Sequence, residues 1–278
     1  MNLHDLSKLS ETFAPSPKMP VLFTSHGNPM EALSELNATP FFTSIGAVGK
    51  SIREEFPIRA ILVISAHWLT RGTWVNASPV QETIHDYYGF PPEFYEIQYP
   101  AKGSPEIAAE VAQLLPGAKT TTDWGLDHGS WPVLRHYFPN GDIPVFQLSI
   151  DYYQPASYHF ELAQNLRSLR EKGVLIIGSG AVVHNLRAAG PKFFSGDRNP
   201  YGWEIEFDQW VKKKLDERDF DSLVNYEKMG SAGTLSVPTP DHYVPMLYSL
   251  GVMDKNETIT HTFEEILPAF SNRGFRIG

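Results

Sequence analysis

Apolar residues fall into three runs that share one grammar. Residues 60–68 read AILVISAHW: Ala60, Ile61, Leu62, Val63 and Ile64 are apolar without alternation, three of them β-branched, and the run stops at Ser65 and His67. A short unalternated run of this kind predicts a strand buried on both faces, as in a largely parallel sheet. Residues 21–26, VLFTSH, end on His26, ahead of Gly27, Asn28 and Pro29. Residues 174–180, VLIIGSG, are followed four residues later by His184. Ligands of open α/β sheets bind beyond the carboxyl ends of strands. Three strand ends carrying histidine therefore predict one shared site at one edge of a sheet.

Elsewhere the period changes. Phe42, Ile45, Val48, Ile52 and Phe56 fall near a 3.6-residue repeat, which predicts a helix over 39–56, stopped by Pro57. Residues 73–77 predict a short strand. Residues 79–105, rich in Tyr, Phe, Pro and Gly, predict a long ordered loop, because repeated prolines forbid a long helix. Ser104 is placed to cap a helix with Pro105 at its first position. Residues 123–130, DWGLDHGS, predict a loop, 131–137 a short helix, 143–150 a buried strand and 158–170 a helix. Helices are expected over 203–215, 223–229 and 241–250, and a late strand over 259–263. The pattern predicts an α/β fold: a central mixed, largely parallel β-sheet flanked by helices on both faces, over a single domain at residues 19–278 behind an extension at residues 1–18.

Composition narrows the chemistry. The 278 residues are 42% hydrophobic, ordinary for a globular chain that buries a sizeable core. No window reaches about 18 consecutive apolar residues, so no membrane span is predicted. Residues 1–18 are polar and carry no apolar signal core, and a cytoplasmic protein is expected. The formal net charge is −9, and no Lys/Arg cluster is dense enough to track a phosphate backbone, which argues against nucleic acid as a partner. There is no cysteine, so any metal must be held by imidazole and carboxylate.

Ten histidines are present. His4 lies in the extension; His136, His159 and His261 sit inside helix or strand patterns and read as structural or surface residues. His85 lies in the aromatic loop. The other five stand at strand ends or in Gly/Asp-rich turns: His26, His67, His128, His184 and His242. Each has an ordinary reading, as a turn histidine or the neighbour of a helix cap. The glycines of GSGAVVHN let a backbone approach closely, but the segment lacks both the GxGxxG spacing and the Walker lysine of a phosphate loop. In a chain without cysteine, five such imidazoles together point to a mononuclear metal enzyme.

The ordered set SHGNPM at 25–30, ISAHW at 64–68, HDYYGFPPEFYEIQYPAKGSP at 85–105, GLDHGSWPVL at 125–134, IGSGAVVHNL at 177–186 and PTPDHYVPML at 238–247 resembles the class III extradiol ring-cleavage dioxygenases, most closely the 4,5-DOPA extradiol dioxygenase branch of bacteria and plants. The resemblance implies a mononuclear non-haem centre, Fe(II) for activity, with Zn(II) able to occupy the same ligands. It implies that His26 and His67 are metal ligands and that His242 fills the place of the third. In protocatechuate-cleaving relatives that third ligand is a glutamate, and here the segment offers His242 with Asp241 beside it. His184 resembles the family's catalytic base, with reach to the metal when the site is empty. His128 resembles the histidine that hydrogen-bonds substrate or oxygen. The expected partners are a small catechol and O2. Tyr87, Tyr88 and Phe90 are candidates to line the pocket for the flat ring. Other readings are a zinc-dependent hydrolase using the same histidines, a non-catalytic metal-binding domain, and a protein whose histidines are all structural. The absence of an H-E-x-x-H helix weighs against a protease.

Overall fold

The computed structural model describes residues 16–27 and 39–278. Residues 1–15 of the extension, with His4, and Asn28, Pro29 and Met30 of the SHGNPM segment lie outside the described residues. The three unalternated runs form adjacent strands: Val21–Ser25 (β1), Ala60–Thr70 (β2) and Val174–Gly180 (β6), with Val145–Asp151 (β5) on the other side of β2. These four pair in parallel. Every residue of β1, β5 and β6 is buried, which is why none alternates with polar residues. Trp74–Asn76 (β3), Lys119–Thr121 (β4), Ile259–Leu267 (β7) and Phe270–Ile277 (β8) complete the order β4-β3-β5-β2-β6-β1-β8-β7. The sheet is mixed: β8 runs antiparallel to β1 and to β7, and β3 to β5.

Successive strand residues point to opposite faces, and each face has its own core. Leu62, Ile64 and Ile176 pack with Ile107 and Val111 of Pro105–Leu114 (α2), Leu162 of Ala156–Ala163 (α4), Phe207 and Val211 of Gly202–Glu217 (α6), and Leu247 of Val244–Gly251 (α9). Ile61, Val63 and Ile177 pack with Phe42, Ile45 and Ile52 of Pro40–Glu55 (α1) and with Trp131 and Leu134 of Trp131–Tyr137 (α3). Helices thus cover both faces, as the strand pattern predicts. Thr39 caps α1, its Oγ1 accepting from the Phe42 N–H at 3.3 Å. Pro105 does open α2, though the Ser104 side chain makes no capping bond. No helix among the described residues is long and apolar enough to cross a membrane.

Several elements depart from the sequence pattern. The helix expected over 158–170 is α4 followed by a 3-10 segment, Gln164–Lys172, and the one expected over 223–229 is Phe220–Val224 (α7) followed by the 3-10 turn Tyr226–Met229. Apolar spacing over so few residues does not separate a winding of 3.0 from 3.6. The helix expected from residue 241 begins only at Val244, with Pro245 in its first turn, and leaves His242 in the preceding turn. The late strand runs on to Leu267 and turns into β8. That hairpin was hidden because β8 buries polar residues on both of its faces: Ser271, Asn272 and Arg273 are buried, Arg273 against Asp208 of α6. The strand β4 and the helices Leu186–Ser195 (α5) and Ser231–Ser236 (α8) carried no clear periodic signal.

Candidate metal centre

The site lies at the carboxyl edge of the parallel strands. His26 follows β1 directly and is buried. β2 does not stop at Ser65 as its apolar run suggests, but its ladder to β6 does, at Ser65↔Ser179. Its ladder to β5 is irregular between Ile64 and Leu69, so His67 lies in a distorted stretch of an extended strand. Ser65 Oγ accepts from the His67 N–H at 3.2 Å and donates to Asp127 Oδ1 at 2.6 Å. Asp127, fully buried, also accepts from the Gly129 N–H and from Trp124 Nε1. Burial and the nearby Asp86 charge push the Asp127 carboxyl up, against the pull of the Ser65 bond. This network holds the turn that carries His128 against the strand that carries His67.

His242 arrives by close backbone approach. A Cβ on Gly180 would lie 2.1 Å from the His242 carbonyl oxygen, and one on Gly178 would lie 2.4 Å from that of Pro245. The Ala181 N–H donates to the same His242 oxygen at 2.8 Å. Glycines at these strand positions let the turn before α9 lie directly on β6. His184 is fixed four residues on, its N–H bonded to the Ser236 carbonyl at 2.9 Å.

The five strand-end and turn histidines come together. His26, His67 and His242 form a near-equilateral triangle, with ring centroids 4.9, 5.1 and 5.1 Å apart. The His26 and His67 Nε2 atoms are 3.2 Å apart. Two nitrogens bound to one metal at about 2.0–2.1 Å would stand about 3 Å from each other. His242 Nδ1 is bonded to Asp241 Oδ2, and its buried Nε2 has no hydrogen-bond partner among the described residues. A carboxylate on the far nitrogen is the usual outer support of a metal-binding imidazole. The chemistry of these donors fits a divalent metal: ligand atoms of His26, His67 and His128 lie within 4.8 Å of one another, as do those of His184, Asp241 and His242. The other two histidines flank the triangle: His128 lies 3.7 Å from the His67 ring, and His184 stacks on His242 at 3.5 Å with the planes 5° apart.

The surroundings hold three of the five imidazoles below the ordinary histidine value. Burial, and then the neighbouring imidazoles, hold His26 and His67 well below the ordinary histidine value. Burial, and then His242, lower His184 to about 3. Burial works to raise Asp241, but the bonds to His242 and Thr239 outweigh it and hold that carboxyl at about 2. Asp86 is a second carboxylate at the cluster. Its Oδ1 accepts the His128 backbone N–H at 2.8 Å and lies 2.9 Å from His128 Nδ1, off line for a hydrogen bond. Its Oδ2 lies 3.6 Å from His67 Nδ1. The residue pattern did not single out Asp86 or Asp127, although both stand beside a histidine in sequence, as Asp241 does.

The aromatic loop is ordered on the His128 side. Tyr87 is buried, with its hydroxyl donating to the Phe94 carbonyl and its ring 5.8 Å from that of His128; Phe90 packs on it at 4.8 Å. Tyr88 is 91% exposed. His85 bonds the Ile97 carbonyl through Nε2. His136 stacks on Phe42, His159 meets the Tyr248 hydroxyl and His261 pairs with Asp216, all away from the cluster.

The family described as the catalytic LigB subunit of aromatic ring-opening dioxygenase matches residues 20–275. The chain belongs to this family. It is 44% identical over 257 residues to the protein named 4,5-DOPA dioxygenase extradiol of Escherichia coli (strain K12), covering 90% of this chain and 91% of that one. It is 36% identical to the protein of the same name from Beta vulgaris, over 84% of this chain and 87% of the relative. A crystal structure of an uncharacterized protein from Escherichia coli K12 superposes with a TM-score of 0.79 at 40% identity, covering 94% of this chain and 100% of that chain. The protein is a metal-dependent extradiol dioxygenase that opens catechol rings, and these matches do not favour the hydrolase alternative.

Two outcomes are expected of the centre. Asp241→Asn weakens metal binding by about 10–100-fold in competition with a chelator, and unchanged affinity contradicts the supporting role. The second concerns pH. The unfolded chain takes up protons on histidine near pH 6.5, whereas His26, His67 and His184 stay neutral in the folded, metal-free protein. Stability is therefore lost as pH falls below about 6.5, by up to about 1.4 kcal/mol per pH unit for each such histidine. A urea midpoint of the metal-free protein that stays flat between about pH 7 and 5 contradicts this.

Proposed function

We propose that the protein is an Fe(II)-dependent dioxygenase that inserts both atoms of O2 into a DOPA-like catechol, with cleavage at the 4,5 bond and His184 and His128 as the catalytic residues. The observation that carries this reading is the triangle of imidazoles at His26, His67 and His242, flanked by His128 against His67 and by His184 stacked on His242. The relatives named for 4,5-DOPA support the substrate class. One catalytic domain over residues 19–278 is part of the same reading, since a single sheet takes its strands from both ends of that range.

Iron held by the three imidazoles would supply Lewis acidity toward the catechol hydroxyls and a binding position for dioxygen, a redox role closed to zinc. The protein's own part is proton handling and placement. Burial keeps His184 unprotonated at neutral pH, so its ring has a lone pair free to take a proton from the substrate hydroxyl. The nearby Asp241 charge, which acts to raise His184, stabilises that proton once taken. His184 can also reach a metal in a site without substrate, since it shares a potential ligand cluster with Asp241 and His242. On the other flank His128, held by Asp86 through its backbone, offers a hydrogen bond to the substrate and a route for returning a proton to the opened product. Tyr87 and Phe90 stand behind His128 as a wall for the flat ring, and Tyr88 lies at the exposed rim.

Anaerobic loading with Fe(II), followed by oxygen-electrode measurement with DOPA, tests the reading. The expected result is oxygen uptake with a yellow ring-opened product, absent from the zinc form. His184→Ala and His128→Ala are expected to keep their metal and to lose about 10²–10⁴-fold in kcat, while His67→Ala loses the metal. No uptake with verified iron in the site contradicts the reading, and a wild-type rate in His184→Ala removes that residue from the mechanism.

A further inference from the structure

Beside the metal centre, at the carboxyl ends of the paired strands β2 and β5, lies an open cavity of about 440 Å³ lined by Leu69, Thr70, Arg71, Tyr152, Tyr153 and Asp241. Asp241 joins it to the centre, because its carboxylate bonds His242. These strand ends form a built rim. β2 and β5 pair at Thr70↔Asp151, and the Tyr152 N–H donates to the Thr70 carbonyl at 3.0 Å. Thr70 Oγ1 donates to the Gly72 carbonyl at 2.7 Å, and Trp74 Nε1 to the Arg71 carbonyl at 3.1 Å. The backbone that presents Arg71 is therefore held on both sides.

Among the described residues, Arg71 is free of the carboxylate pairing that several arginines of the chain make. Arg53, Arg170, Arg273 and Arg276 each sit on a carboxylate. Arg71 has no carboxylate partner among the described residues and is instead laid over the Tyr153 ring, 4.7 Å from its centroid. Stacking fixes the plane of a guanidinium and leaves its edge of N–H donors free for a planar anion. Tyr153, Tyr152 and Leu69 are 67%, 42% and 39% exposed, an apolar strip on the same rim.

Resting on the catechol reading of the centre, we propose that this cavity is the subsite for the substrate's side chain and that Arg71 binds a carboxylate carried there. The tail crosses Leu69 and the Tyr152–Tyr153 strip, and its anionic end meets the guanidinium edge. Asp241, the other charge in the cavity, faces a cationic group on the same tail, so the two charges suit a catechol bearing an α-amino acid head. Arg71 is thus a specificity-determining residue for carboxylated catechols.

The test compares wild type with Arg71→Met and Arg71→Lys, all loaded with Fe(II). Ligands are DOPA, hydrocaffeate with a carboxylate alone, dopamine with an ammonium alone, and 4-methylcatechol with neither. Anaerobic equilibrium titration gives Kd, and oxygen uptake gives kcat and KM. Arg71→Met is expected to raise Kd and KM about tenfold or more for DOPA and hydrocaffeate, the loss of a charge-assisted bond, with kcat and the two uncarboxylated catechols changed less than about twofold. Arg71→Lys is expected to recover part of the loss, because it keeps the charge without the planar fork. An equal shift for all four ligands, or none for the carboxylated pair, overturns the assignment of Arg71 while leaving ring cleavage intact. A wild-type iron protein that binds none of the four overturns both readings, and so separates the two failures.

Discussion

The whole centre depends on how closely one turn can lie on one strand. His242 reaches His26 and His67 only because the chain before α9 rests on the backbone of β6. At Gly180 and Gly178 any side chain would collide with the carbonyls of His242 and Pro245. Those carbonyls are rigid, so a Cβ there would have to lift the turn, and the triangle of imidazoles would open. The Ala181 N–H bond to the His242 carbonyl uses the contact that the missing side chains permit. The other two corners are simpler. β1 and β2 both pair in parallel with β6, so their carboxyl ends emerge beside it and bring His26 and His67 with them.

Gathering buried imidazoles this closely is costly when they carry charge. Burial and mutual repulsion keep His26 and His67 neutral, which is the form that binds a metal. The balancing charges stand one step out. Asp241 sits behind His242, Asp86 between His67 and His128, and Asp127 beneath the His128 turn, anchored to β2 through Ser65. Asp241 orients a ring directly, whereas Asp86 and Asp127 hold the His128 turn through the backbone N–H groups of His128 and Gly129. The same arrangement leaves Asp241 with two faces, one on His242 and one on the cavity that Arg71 also lines.

How much of this was legible in the sequence follows from burial. β1, β2 and β6 could be read because parallel strands covered on both faces carry unbroken apolar runs, and their abrupt polar ends exposed His26, His67 and the glycines before His184. β8 could not, because it buries Ser271, Asn272 and Arg273 in succession, made tolerable by partners such as Asp208 that lie far away in sequence. His67 was expected just past a strand end and instead sits within a longer, irregular strand, a distinction that hydrogen bonds make and composition does not. Asp86 and Asp127 escaped notice because a carboxylate acting on a ring nitrogen or a turn amide has no spacing rule. Arg71 escaped for a related reason: an arginine without an anion is conspicuous only once its neighbours are known.

The central claim is that three imidazoles at the edge of the parallel strands hold one metal while two others stand beside it. X-ray absorption on the anaerobic Fe(II)-loaded protein tests this most directly, since imidazole rings give outer-shell scattering that can be counted. With a catechol bound, the account predicts one iron per chain with the rings of His26, His67 and His242 in its shell, unchanged in His184→Ala and His128→Ala. A spectrum that loses an imidazole in either of those variants, or one without imidazole scattering, would contradict it.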